Sequence, residues 1–296
     1  MSLRHPEACA DLWGYVYAVR PEIERALTDY LPIAPTSTDT NFNDALRYAL
    51  FPGGKRLRPI LTLIGAELVG GRSRDVMAAA AAVEYVHTSS LIFDDLPCMD
   101  DATERRGLEA LHLRYGESLA VLVALALLNA SYGLVFMNNR DQQQCIDAHR
   151  ELVACVGTNG MVMGQTVDLS DTTGRDEFDA IRNLKTSALM RLSLRLGAIL
   201  SGADAGQLAA LSQFAELIGQ AYQLSDDMID LNEDALLCVG GARTATLAYE
   251  RGMPDAKLRV ACMVAEAKSV LTAEFGTTRP ALLLGEMADY IATRES

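Results

Sequence analysis

Apolar residues recur at three- and four-residue spacing along most of this chain, the period of a helix with one buried face. The segments that carry it are Phe42 to Phe51, Pro59 to Leu68, Arg74 to Phe93, Ser118 to Asn138, Gln142 to Met163, Glu177 to Leu200, Gln207 to Asp230 and Asp255 to Phe275. No stretch alternates strictly with period two over several residues, so no long strand is predicted. The breaks are short and rich in turn residues: PGGKRLRP at 52–59, GGR at 70–72, DTTGRDE at 171–177, SGADAG at 201–206, GGAR at 240–243 and GTTRP at 276–280. No long linker, low-complexity tract or internal repeat interrupts them. The pattern predicts one all-α domain over residues 1–296, a single-domain bundle of about ten helices.

Composition narrows the function without naming it. Half of the 296 residues are hydrophobic and only 6% are aromatic, which suits helix packing built on Ala and Leu. A formal net charge of −13 argues against a nucleic-acid binder, because no basic surface compensates for phosphate repulsion. It does not exclude a small phosphorylated substrate held by local cations. Cys9, Cys98, Cys145, Cys155, Cys238 and Cys262 form no CxxC pair and no Cys/His cluster. They read as reduced, mostly buried thiols of a cytoplasmic protein, not as a disulfide framework or zinc site. No signal peptide is expected. The apolar window Ser118 to Asn138 contains Ser118, Asn129, Ser131, Tyr132 and Gly133 and lacks flanking anchors. A buried core helix is the better reading than a membrane span, so no membrane anchor is expected.

The chemistry concentrates in two acidic clusters. In DDLPCMDDATERRG, residues 94–107, Asp94, Asp95, Asp100 and Asp101 fall within eight positions. Two such charges 4 Å apart repel by about 1 kcal/mol in water and roughly 4 kcal/mol at an effective dielectric of 20, so a cation is expected among them. A regular helix would align Asp94 with Asp101 and turn Asp100 away, but Pro97 disturbs the ladder and leaves room for a loosened turn that brings Asp100 round. In QLSDDMIDLNED, Asp226, Asp227 and Asp230 share one side of a helix whose neighbours Ile218, Ala221, Tyr222, Leu224, Met228 and Ile229 are largely apolar. Carboxylates with no His or Cys beside them select hard cations, magnesium above all, and magnesium is commonly completed by substrate phosphates. Either cluster alone reads equally well as a helix cap or a solvated loop. Two of them, each closing an apolar helix, point to a metal-bridged diphosphate.

Basic residues complete the pattern. Gly53-Gly54-Lys55-Arg56-Leu57-Arg58-Pro59 forms a turn opening a helix, where free N–H groups, close backbone approach and cationic side chains suit an anion. Arg105 and Arg106 stand beside the first cluster. Lys185, in LKTSALM, sits in a largely apolar helix where an unpaired ammonium is costly. His87 lies two helical turns before Asp94 on nearly the same face.

GGKRLRP, HTSSLIFDDLPCMD followed by RRG, GMVMGQTVDL, LKTSALM and GQAYQLSDDMID occur in this order from about Arg47 onward. The series resembles the trans-prenyl diphosphate synthases of geranylgeranyl and farnesyl type. The resemblance implies an isoprenoid synthase fold around a deep central cavity, a homodimer, and three magnesium ions per active site. It implies metal ligands at Asp94, Asp100, Asp226 and Asp230, with Asp95 and Asp227 supporting. Arg105 and Lys185 would hold the allylic diphosphate, and Lys55, Arg58, His87 and Arg106 the diphosphate of isopentenyl diphosphate. Thr186, Gln223, Gln165 and Asp168 match further polar positions. The implied reaction ionises the allylic diphosphate, joins the resulting cation to the double bond of isopentenyl diphosphate, and loses a proton.

Product length is read five residues before Asp94, where short-chain relatives place a bulky floor. Here the position holds Ser89 with Ser90 beside it, which favours twenty carbons, geranylgeranyl diphosphate, over fifteen. Tyr85, Phe136 or Met137 would then restore a floor deeper down. The chain also departs from the family: DLNEDALLCVGGARTATL replaces a longer glycine-lysine loop and carries Arg243 as its sole cation, Leu125 stands where relatives often have Asp, and Phe93 where many have His. The rival readings are a farnesyl diphosphate synthase, a weakly active subunit of a heteromeric synthase, a class I terpene cyclase, and a metal-stabilised scaffold. Both aspartate motifs are present, against the weak subunit. GGKRLRP and RRG are foreign to the cyclase, and the scaffold leaves Lys55, Arg58 and Lys185 unexplained.

Overall fold

A computed structural model describes residues 11–35, 40–51, 53–137, 141–169, 184–237 and 252–293; at 184–186, 227 and 230–237 the description is of the helix backbone. Helix α1 (Leu12–Asp29) is followed by α2 (Phe42–Leu50), α3 (Leu57–Leu68), a 3-10 turn (Ser73–Val76) and α4 (Met77–Asp94). A hairpin of β1 (Glu104–Arg105) and β2 (Leu108–Glu109) leads to α5 (Leu111–Tyr115), α6 (Glu117–Leu134), α7 (Gln142–Val156) and α8 (Met161–Asp168). The chain continues as α9 (Leu184–Ile199), α10 (Ala205–Leu237), α11 (Met253–Phe275) and α12 (Arg279–Thr293). This is the predicted all-α isoprenoid synthase fold.

Helix α9 stands at the centre and packs on α3, α4, α7, α8 and α10. Its approach to α3 is set by two glycines. A Cβ at Gly197 would lie 1.9 Å from the Thr62 carbonyl oxygen, and one at Gly65 would lie 2.1 Å from that of Leu194. Only hydrogen at these positions lets the backbones touch. Helix α4 packs on α3, α6 and α9, and its run Ala78–Ala82 is buried.

Several elements differ from expectation for identifiable reasons. The helix predicted from Gln142 to Met163 is broken between α7 and α8. A Cβ at Gly160 would lie 2.0 Å from the Cys155 carbonyl, so the chain turns sharply there. Helices α1 and α12 lie outside the predicted set, and α10 runs on through Leu237, past the predicted end at Asp230. The predicted segment 177–183 lies outside the described residues. The hairpin was not predicted because its strands are two residues each. Its turn is Arg106-Gly107, with φ of 56° and 77°, the left-handed pair that a two-residue hairpin requires. Helix α6 is not the buried core helix expected: 33% of its apolar window is buried, whereas the window in 73–94 is 72% buried.

Gly197→Ala should force α3 and α9 apart. We predict a loss of about 2 kcal/mol, read as a fall in Tm of roughly 3 °C by thermal unfolding. An unchanged Tm would contradict the close crossing.

Candidate active site

The first acidic motif is shaped by the end of α4. The Asp95 N–H donates to the Leu91 carbonyl at 3.0 Å, the last helical bond, and Pro97 has no N–H with which to continue. The chain instead curls back: the Asp100 N–H donates to the Asp94 carbonyl at 2.9 Å and the Asp101 N–H to that of Leu96 at 3.1 Å. Asp101 takes φ 49° in this turn. The backbone of Asp100 is thereby fastened beside Asp94, as the loosened turn requires. Asp94 is half-buried and lines a cavity, whereas Asp100 is exposed. Asp95 faces another way. It is buried, and the Arg105 Nε donates to its two oxygens at 3.0 and 3.2 Å while Nη2 pairs with it as well. This pairing, with the charges of Asp94 and Asp100 nearby, holds the Arg105 guanidinium above its ordinary pKa. Asp95 and Arg105 therefore brace the hairpin to the motif.

The cavity measures about 380 Å³. Its polar lining is Arg58, His87, Asp94 and Gln165, with Ser89, Ser90 and Thr166. The rest is apolar: Val86, Leu91 and Phe93 of α4, Leu128 of α6, Val156 of α7, Met161, Val162 and Leu169 around α8, and Leu189 of α9, with Met99 at the rim. The Ser89 and Ser90 hydroxyls turn back to the carbonyls of Val86 and His87, both at 2.9 Å, which lessens the polarity they show the cavity.

Behind Asp94 lies a cluster of cations. Arg58 Nη1 is 3.2 Å and Arg106 Nη2 3.4 Å from His87 Nε2. Burial, then the charges of Arg58, Arg106, Arg56 and Arg105, push the His87 pKa well below its ordinary value, so its ring is neutral and accepts at Nε2. Burial also lowers Arg58 and Arg106, and the buried Arg58 Nε has no hydrogen-bond partner. Gly54 lies against Arg106, at 3.6 Å from a Cβ placed there to its guanidinium carbon, which brings the GGKR turn to the RRG hairpin. An orphan donor among crowded guanidinium groups is a site for a polyanion.

Two residues that order this cluster escaped the sequence reading. Arg56 is buried in the left-handed region at φ 52°. It donates to Glu84 at 2.7 Å, to Glu24 at 2.9 and 3.2 Å, and to the Leu50 carbonyl at 2.7 Å. Glu84 was legible in retrospect, as the single charge in the run AAAAAVEYV. Lys55 is exposed and donates to the Tyr290 hydroxyl of α12; its Nζ is 5.1 Å from that ring's centroid.

The second acidic motif lies across α9. A Cβ at Gly219 would meet that of Ser187 at 2.8 Å, so α10 lies against the first turns of α9. Tyr222 is near enough to Arg58 to act on its charge, and half-buried Asp226 stands one turn beyond Tyr222 on the same face. Gln223, also half-buried, follows Tyr222 directly. Lys185 begins the turn that precedes cavity-lining Leu189, with Thr186 next to it. The side chains of Lys185, Thr186, Asp227 and Asp230 lie outside the described residues, as does Arg243. Asp168 closes α8 and is exposed, one turn past Gln165, whose buried Oε1 has no partner.

Among the described residues no three carboxylate, imidazole or thiolate groups form a complete metal set. The donors present still fit magnesium: Asp94, Asp100 and Asp226 offer only oxygen, and this ion takes one or two carboxylates and completes its shell with water and phosphate.

Comparison with known proteins identifies the family. Residues 39–237 match the polyprenyl synthetase family. Over 232 residues the chain is 39% identical to geranylgeranyl pyrophosphate synthase 11, chloroplastic, of Arabidopsis thaliana, covering 75% of this chain and 64% of that protein. It thus spans less than two thirds of that relative's length. Over 267 residues it is 38% identical to the chloroplastic geranylgeranyl pyrophosphate synthase of Capsicum annuum, covering 86% and 72% respectively. The crystal structure of an FPP/GFPP synthase from Zymomonas mobilis superposes with a TM-score of 0.85 at 29% identity, over 95% of this chain and 99% of that one. With residues of GGKRLRP, HTSSLIFDDLPCMD, GMVMGQTVDL and LKTSALM lining one cavity and the family match running over most of the chain, this protein belongs to the polyprenyl synthetase family.

Proposed function

We propose that this protein is a short-chain trans-prenyl diphosphate synthase, condensing isopentenyl diphosphate with an allylic diphosphate and making chiefly geranylgeranyl diphosphate. One observation carries the reading: an apolar cavity of about 380 Å³ opens between Asp94 and the Arg58–His87 pair. A hydrocarbon fits the cavity and a diphosphate fits its mouth. The geranylgeranyl assignment is supported by the small, buried Ser89 and by relatives named for that product.

Each side chain then has a task. Arg58, His87 and Arg106, with Lys55 at the rim, hold the diphosphate of isopentenyl diphosphate, and the neutral His87 ring becomes an imidazolium donor as the anion arrives. Arg105, steadied by Asp95, and Lys185 hold the allylic diphosphate, with Thr186 and Gln223 as further polar contacts. Asp94, Asp100, Asp226 and Asp230 would hold magnesium, three ions per site, whose charge when bound favours departure of the diphosphate. The allylic carbon–oxygen bond breaks, the double bond of isopentenyl diphosphate forms the new carbon–carbon bond, and a proton leaves to the released diphosphate, so no side-chain base is required. Val86, Leu128, Met161 and Leu189 exclude the water that would quench the cation.

The same proposal places the protein in the cytoplasm as a single catalytic domain and a homodimer. The exposed Val121, Leu122 and Leu125 of α6, with Phe136 and Met137 beyond it, support a subunit contact. Cys98, Cys145, Cys155 and Cys262 are free thiols, as suits a reducing compartment, although Cys98 and Cys262 are exposed where buried thiols were expected.

Three experiments follow. Purified protein with magnesium, labelled isopentenyl diphosphate and each allylic diphosphate in turn should give a twenty-carbon product by chromatography; no elongation with any primer would support the weakly active subunit instead. Ser89→Phe should shift products toward fifteen carbons, and an unchanged distribution would place the length control elsewhere. Pyrophosphate binding should take up a proton, because the bound anion favours the charged form of a His87 that is neutral beforehand. The part of the affinity that depends on His87, read as the difference between wild type and His87→Gln, therefore grows as pH falls from about 8 toward 6. Calorimetry in buffers of different ionisation enthalpy should show this uptake, reduced in His87→Gln; equal uptake in both would refute the role.

A further inference from the structure

We infer that Tyr132 and His149 form the floor of the apolar cavity and set the longest chain it accepts, an inference that rests on the elongation reading above. The cavity wall includes Leu128 of α6 and Val156 of α7. Tyr132 lies four residues past Leu128, on the same helical face and about 6 Å further along the axis. His149 lies seven residues before Val156, again on the same face and roughly 10 Å deeper. The two helices bring these rings together edge to face, with centroids 5.8 Å apart, and Phe136 backs His149 at 5.4 Å.

The α4 wall at this depth offers no comparable barrier. One turn below Val86, α4 presents Ala82 and Val83, and the Ala78–Ala82 run continues beneath them. Tyr85, the aromatic side chain on α4 that sequence reading offers as a floor, is fully buried elsewhere: its hydroxyl donates to the Leu27 carbonyl of α1 at 2.8 Å. Met137 is 57% exposed and Phe136 is 48% exposed, so they stand on the outer side of the ring pair. The His149 Nδ1 is buried without a hydrogen-bond partner, so ring packing holds the layer. Truncating a ring would open the cavity downward and leave Arg58, His87 and Asp94 untouched.

Product chromatography and single-condensation rates for wild type, Tyr132→Ala and His149→Ala test the assignment. The principal product of Tyr132→Ala should lengthen by at least one five-carbon unit, while the first condensation changes by less than about twofold. Where Tyr132→Ala does not fold, Tyr132→Leu should give the same shift in smaller degree, and Leu128→Phe, which fills the cavity above the pair, should shorten the product. Elongation by folded variants with the wild-type product distribution would overturn the floor and leave the synthase reading intact. Absence of elongation by the wild type itself would overturn both.

Discussion

The site depends on one buried ion pair. Arg56 sits at the start of α3 in a left-handed conformation that costs energy for any side chain with a Cβ. Its guanidinium reaches across to Glu84 of α4 and is saturated by Glu24 of α1 and the Leu50 carbonyl. Removing Arg56 would leave the buried Glu84 carboxylate uncompensated, at about 3–5 kcal/mol. The pair therefore holds the GGKRLRP turn against α4, and only in that register does Arg58, two residues on, meet His87, three residues beyond Glu84.

Once that turn is placed, charge is sorted by position. Asp94 at the end of α4 lines the cavity, the guanidinium groups of Arg58 on α3 and Arg106 in the hairpin turn gather at His87, and apolar side chains of α4, α6, α7, α8 and α9 make most of the remaining wall. Glu84 neutralises Arg56 and leaves Arg58 and Arg106 to an incoming anion. The left-handed turn at Arg106-Gly107 serves the same end, because it presents Arg106 to His87 while its neighbour Arg105 reaches the other way to Asp95. Adjacent arginines thus take different partners.

The fold class and most helix spans were legible because each helix has an apolar face of period 3.6, and the motif residues were legible by charge. The backbones of Asp94 and Asp100 meet through a turn that Pro97 announces. What escaped depends on partners distant in the chain. Nothing near Arg56 says that it is structural while Arg58 faces the cavity, since that division follows from Glu24 and Glu84. The expectation that α6 is buried failed because hydropathy counts apolar residues without saying whether the surface opposite them belongs to this chain. The hairpin was missed because four paired residues carry too little pattern, although a glycine in its turn marked the place. Lys185, Thr186, Asp227 and Asp230 remain placed by sequence and by the helix backbone.

The central claim is that two diphosphates bind at the mouth of one greasy cavity, one on the carboxylates and one on the cations. A crystal structure with magnesium, isopentenyl diphosphate and a non-ionisable allylic thiolodiphosphate tests it most directly. The account requires the allylic group between Asp94, Asp100 and Asp226 with its tail running past Ser89, and the second diphosphate on Arg58, His87 and Arg106. Diphosphates bound away from these side chains, or a tail left in solvent, would contradict it.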